Sequence, residues 1–207
     1  MSERPFRVAL TFDAEHPDRP LGRPDHAGRI LDALAAAGAR ATFFVQGRWA
    51  LAYPSLARRI ADEGHLVGNH SHFHARITLF SDDGIRADVI EGQDAVAEAT
   101  GVDPRPWFRC PFGDGHDDPR VLAILDELGY RNVFWRVMVE DWEPHRTGPL
   151  LERDTIAGVA SHGDGAVVLL HTWPQGTADA VPSIVRGLVD RGATFVGVDE
   201  LPTEVLP

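Results

Sequence analysis

The chain has 207 residues, with 20 Lys plus Arg against 31 Asp plus Glu, a formal charge of −11 with histidine neutral. Hydrophobic residues at 43% and charged residues at 25% mark a globular chain able to bury its own core, and argue against disorder. The acidic excess disfavours nucleic acid and anionic membrane partners, and no apolar run approaches the ~20 residues of a spanning helix.

In chain order, residues 1–5 run straight into the apolar stretch 6–12 without the longer hydrophobic segment of an export signal, so a cytoplasmic location is expected. Residues 7–12 read as a strand. Asp25 is placed to N-cap a helix through Ile30, Leu31 and Leu34 that stops at Gly38. Residues 41–45 form a second β run. Pro54 opens a helix ending at Gly64, and 65–68 is extended. A helix over 84–99, an extended piece at 106–108, a helix over 119–128 and a strand over 132–137 follow. The last third repeats the rhythm, with helices over 151–160 and 180–189 and strands over 166–170 and 193–196. Strands this apolar on both faces suit a sheet covered by helices, so the expected fold is parallel α/β. No repeat, low-complexity tract or long linker divides the chain, so residues 1–207 are expected to form one domain.

In such folds functional groups collect where strands end. Asp13 and Glu15 end the first strand, and side-chain alternation turns both to one face with Ala14 opposite. Three histidines stand in Asn69-His70-Ser71-His72-Phe73-His74, and a helical turn would put His70 and His74 on one side, ready to share an ion. With only Cys110 available, any bound metal must be held by His and carboxylate, which is a catalytic rather than structural donor set. Two carboxylates beside two histidines supply one ligand and one free base. Arg109-Cys110-Pro111-Phe112-Gly113 is turn chemistry: the backbone N–H at Phe112 is a candidate oxyanion donor and Arg109 a fork for a carboxylate. Cys110 reads as a packed small hydrophobe. His171, directly after an apolar strand, is a candidate general acid. Asp141 is a candidate to raise its pKa, and Trp142 with Leu169 to wall an apolar pocket.

Taken in order, Thr11-Phe12-Asp13-Ala14, His70-Ser71-His72-Phe73-His74, Arg109-Cys110-Pro111-Phe112-Gly113, Asp141-Trp142 and Leu169-Leu170-His171 resemble the five motifs of the polysaccharide deacetylase family with the NodB-homology domain. The resemblance implies a deformed (β/α) barrel with mostly parallel strands. It also implies hydrolysis of the N-acyl group of N-acetylglucosamine-containing oligo- or polysaccharides; no obligate protein partner is evident in the sequence. The implied cofactor is a divalent metal, usually Zn2+, with Co2+, Ni2+ or Mn2+ as substitutes. Carried onto this chain, His70 and His74 hold the metal and Asp13 is the base. Arg109 orients Asp13, the Phe112 backbone stabilises the oxyanion, His171 tuned by Asp141 protonates the leaving amine, and Trp142 and Leu169 line the acetyl pocket.

One departure stands out. The family's second aspartate of the first motif is Ala14 here. Alternation offers Glu15 as the third ligand, with Asp13 remaining the base; Asp13 as ligand is the competing assignment. A cytoplasmic version of the family would act on a soluble chito-oligosaccharide, a sugar conjugate or another small amide. The rival readings are a hydrolase of cyclic amides or ureides on the same fold and a metal-free carbohydrate-binding relative.

Overall fold

The computed structural model describes residues 6–18 and 24–202; the N-terminal segment 1–5, on which the reading of location rests, lies outside them. Strands β1 (Phe6–Ala14), β2 (Thr42–Val45), β3 (Leu66–Asn69), β4 (Trp107–Phe108), β5 (Arg131–Asn132), β6 (Val137–Met138), β7 (Ala166–His171) and β8 (Ala193–Phe195) form one sheet. Every pairing is parallel, in the order β5-β4-β3-β2-β1-β7-β6, with β8 beside the first residues of β1. Helices α1 (Pro24–Ala36), α2 (Gly47–Ala52), α3 (Pro54–Asp62), α4 (Asp82–Thr100), α5 (Pro119–Glu127), α6 (Gly148–His162) and α7 (Gln175–Val189) lie between the strands, with α2 and α3 both after β2 and none between β5 and β6.

The sheet is curled into a half-barrel, and chain length shows why it must be. β5 and β6 lie at opposite ends of the strand order, yet only residues 133–136 connect them. Five steps of extended chain reach at most about 18 Å. A flat sheet would hold its seventh strand roughly 29 Å from its first, at ~4.8 Å per strand. The edges therefore have to swing toward each other. The single strand expected over 132–137 is thus corrected to two short strands on opposite edges. The apolar run is real, but the carbonyls of Val133 and Phe134 accept from the Arg109 side chain at 3.0 and 3.2 Å instead of from a neighbouring strand.

Alternation along β1 sorts the two sides of the sheet. Val8, Leu10, Phe12 and Ala14 join the main core against Ile30, Leu31, Leu34, Val181 and Ile184 of the covering helices. Ala9 packs on the inner side with Phe44, Val133 and Val167. Thr11 and Asp13 share that inner side, where both meet Arg109.

Helix ends follow local chemistry. Ser81 caps α4 by accepting from the Gly84 N–H at 3.2 Å, and Gly101 ends it at φ +76°. Asp118 caps α5 through the Arg120 N–H at 2.8 Å. Asp25 sits inside the first turn of α1 rather than at its cap, because the helix already starts at Pro24. α4, α6 and α7 begin two, three and five residues earlier than the periodicity suggests, their first turns being too polar or glycine-rich to show it. α2 has no sequence signal beyond its buried Trp49 and Ala50.

Candidate active site

The C-terminal ends of the strands converge on one cavity of about 350 Å³ lined by Asp13, Glu15, His16, His74, Phe112, Trp135, Met138, Trp142, Leu169, His171 and Trp173. That is within the ~300–1,000 Å³ usual for small-molecule sites. Asp13 is level with His171 on the neighbouring strand.

Asp13 is held by the buried Arg109, whose Nη1 donates to its Oδ1 at 2.8 Å and to Thr11 Oγ1 at 2.8 Å. Arg109 also lies 4.1 Å over the Phe44 ring, so every edge of the guanidinium is used. Burial lowers the Arg109 pKa against the opposing pull of Asp13.

The histidine pair forms, but not as a helical turn. Residues 70–76 are a loop in which Ser71 and His74 take φ of +62° and +55°. Ser71 Oγ accepts the His74 N–H at 3.0 Å, and Asp88 Oδ1 accepts the N–H groups of His72 and Phe73 at 3.2 and 2.9 Å. These local bonds replace helical ones and bring the rings of His70 and His74 to 4.9 Å between centroids. His70 Nδ1 is 2.8 Å from the Arg109 carbonyl, which requires the proton on Nδ1 and turns Nε2 inward.

His70 Nε2 lies 3.2 Å from Glu15 Oε2 and 3.4 Å from Asp13 Oδ2, and His74 Nε2 contacts Glu15 Oε2 directly. Among the described residues, Glu15, His70 and His74 present ligand atoms within 4.8 Å of one another, as do Asp13, Glu15 and His171. Glu15 belongs to both groups. Two imidazoles and a glutamate are a catalytic-zinc donor set, so these residues fit the metal that the family implies. Burial pushes the Glu15 carboxyl up, but hydrogen bonds from His16, His70 and His74 outweigh it and hold the group well below the usual carboxylate range. Burial lowers His70, yet Asp13 and Glu15 override it and raise its pKa; for His74 burial prevails over Glu15 and lowers it.

Asp141 grips His171 twice, Oδ1 to Nδ1 at 2.7 Å and Oδ2 to the backbone N–H at 2.8 Å, while Thr177 Oγ1 donates to Oδ2 at 2.6 Å. Burial lowers the His171 pKa, but the Asp141 charge and hydrogen bond overcome it and lift it to about 9. Trp142 stands edge-on to His171 at 5.4 Å.

Phe112 adopts φ +58° in the turn after β4, and its half-exposed ring lies between His74 at 4.4 Å and the Arg76 guanidinium at 5.2 Å. Gly113 follows at φ +69°. A Cβ there would fall 2.7 Å from Phe134 and 2.9 Å from Trp135, so only glycine fits. Cys110 is buried beside Phe108, Val121 and Tyr130, and burial pushes its thiol up to about 12, as befits packing rather than nucleophilic work.

All ten site residues expected from sequence lie at or beside this cavity: seven line it, His70 stands next to Glu15 and His74, and Arg109 and Asp141 stand behind Asp13 and His171. His16, Trp135, Met138 and Trp173 were not anticipated. His16 and Trp173 directly flank assigned residues, yet their directions depend on contacts that spacing does not reveal.

The polysaccharide deacetylase family model matches residues 2–133. The chain belongs to the polysaccharide deacetylase family. It is 33% identical over 200 residues to the peptidoglycan-N-acetylglucosamine deacetylase PgdA of Listeria monocytogenes, covering 97% of this chain but 40% of that protein. It is 34% identical over 179 residues to the chitooligosaccharide deacetylase of Rhizobium leguminosarum bv. trifolii, covering 83% of this chain and 77% of the relative. Among solved family structures, a family 4 carbohydrate esterase from Streptomyces lividans in complex with acetate superposes with a TM-score of 0.79 at 30% identity, over 92% of this chain and 91% of that one. BA3943, a CE4 family pseudoenzyme from Bacillus anthracis, superposes at 0.83 with 27% identity, over 96% of this chain and 66% of that one. The family fold thus carries both enzymes and a pseudoenzyme.

Proposed function

We propose that the chain is a divalent-metal-dependent deacetylase acting as one catalytic domain on N-acetylglucosamine-containing oligo- or polysaccharides or a soluble sugar conjugate. One observation carries this reading. Glu15 and His74 of the His70–His74–Glu15 donor set, the Arg109-held Asp13 and the Asp141-held His171 all line the same cavity.

Glu15, His70 and His74 would hold the metal, with zinc the first choice for two imidazoles and a carboxylate and cobalt, nickel or manganese as substitutes. When bound, it polarises the amide carbonyl and makes water a better acid. Asp13, fixed by Arg109, takes a proton from the attacking water as the new C–O bond forms. The Phe112 N–H donates to the oxyanion in the left-handed turn. His171, charged at neutral pH and oriented by Asp141, gives its Nε2 proton to the amide nitrogen as the C–N bond breaks, releasing acetate and a free amine. Trp142 and Leu169 enclose the acetyl methyl.

The pseudoenzyme reading is favoured by Ala14 at the family's second aspartate position. Glu15 opposes it by filling the space between the two histidines. The test is acetate release from chitotetraose, from peptidoglycan strands and, as a control, from a small cyclic amide, using chelator-stripped and zinc-reloaded protein. Acetate is expected only with metal, and Asp13→Asn is expected to lower kcat about 10²-fold or more. No release from any N-acetyl sugar with zinc or cobalt would overturn the reading.

A further inference from the structure

The two oxygens of Glu15 have separate sets of partners. Oε2 faces His70 Nε2 at 3.2 Å and His74 Nε2. Oε1 is held by His16 Nε2 at 3.1 Å and the Trp173 indole N–H at 3.2 Å, with His171 Nε2 farther off at 3.9 Å. Glutamate has one more torsion than aspartate and more rotamer freedom to surrender when it ligates. A glutamate one residue beyond the family's aspartate position therefore needs something to hold it.

Both partners are themselves anchored. His16 stands at φ +56°, and its backbone N–H is accepted by Oε1 of the buried Gln46 at 2.9 Å. The Gln46 N–H in turn donates to the Ala14 carbonyl at 2.9 Å. The His16 ring packs edge-on against His74 at 4.6 Å and against Trp173 at 6.3 Å. Trp173 follows β7 by two residues, and its backbone carbonyl meets His26 Nδ1 at 2.9 Å.

We infer that His16 and Trp173 are positioning residues for the metal site. By holding Glu15 Oε1 they present Oε2 alone to the space between His70 and His74, which adapts this chain to the alanine at position 14. The inference rests on Glu15 being the third ligand, and partners of this kind are worth about 10–100-fold in metal affinity.

The test is zinc affinity by competition with a chromophoric chelator, together with the visible absorption spectrum of the cobalt-loaded protein. It compares wild type, His16→Ala, His16→Gln, Trp173→Phe and Glu15→Ala. His16→Ala and Trp173→Phe are each expected to weaken zinc binding about 10-fold or more and to shift the cobalt bands. His16→Gln, whose amide N–H reaches toward the same oxygen, is expected to restore most of the affinity. If Glu15→Ala abolishes tight binding while His16→Ala and Trp173→Phe stay within about twofold of wild type with unchanged cobalt bands, the positioning role is wrong and the ligand reading stands. If Glu15→Ala itself leaves affinity and spectrum unchanged, both fall.

Discussion

Replacing Arg109 with methionine keeps most of the side-chain volume and removes the charge and every donor. In the native protein the guanidinium is fully buried and satisfies four acceptors: Asp13 Oδ1, Thr11 Oγ1 and the carbonyls of Val133 and Phe134. Breaking a buried ion pair from one side costs about 3–5 kcal/mol, because the remaining charge has no partner. The two carbonyls belong to the four-residue segment that joins β5 to β6, and each uncapped acceptor adds about 1 kcal/mol. Against a total stability of about 5–15 kcal/mol for a domain, the variant is expected to be barely folded. Urea denaturation of metal-free Arg109→Met, Asp13→Asn and the double variant measures this. Asp13→Asn should cost less than Arg109→Met, and the double variant should be more stable than the sum of the two losses by at least about 1.5 kcal/mol. Because the pair is buried, the loss should barely change between low and high salt. A loss under about 1 kcal/mol for Arg109→Met, or strict additivity, would refute the role given to this side chain.

Three further outcomes follow from the geometry. In the metal-free protein, the ring protons of His171 are expected to titrate with a pKa of about 9, and Asp141→Asn to bring it down by a unit or more. Since that folded value lies above the ordinary one of 6.5, the His171–Asp141 contribution to stability is complete below pH 6.5 and lost as pH rises through about 9; an NMR titration near 6.5 would contradict it. Cys110, buried with its thiol pushed up to about 12, should resist alkylation by iodoacetamide at pH 8 until the protein is unfolded, as mass spectrometry would record. Ala14→Asp should lower the thermal midpoint and bring no gain in zinc affinity, because position 14 faces the helix-packed core; tighter zinc binding would show that the strand end can turn inward.

How far the sequence carries toward this site depends on the range of the interaction involved. The period of two along β1 is local, so it placed Asp13 and Glu15 together and Ala14 opposite, and β1 shows both sides as expected. Strand ends were equally readable, and His70, Arg109 and His171 follow from the rule that groups collect there. His70 and His74 do come together, but by a different geometry from the one their spacing suggests. The i, i+4 spacing suggested a helical turn, but Ser71 and Asp88 capture the backbone N–H groups of the loop. The break between β5 and β6 depends on Arg109, more than twenty residues away in sequence, so the apolar run at 132–137 looked like one strand. His16 and Trp173 needed still longer information. Trp173 meets a carboxylate 158 residues before it, and His16 owes its direction to a left-handed backbone pinned by Gln46.

The most direct measurement is a crystal structure of the zinc-loaded protein with anomalous data at the zinc edge. Zinc on His70 Nε2, His74 Nε2 and Glu15 Oε2, with Asp13 still paired to Arg109, is the expected result. An ion ligated by Asp13 with Glu15 turned away, or no ion between the two histidines at saturating zinc, would contradict it.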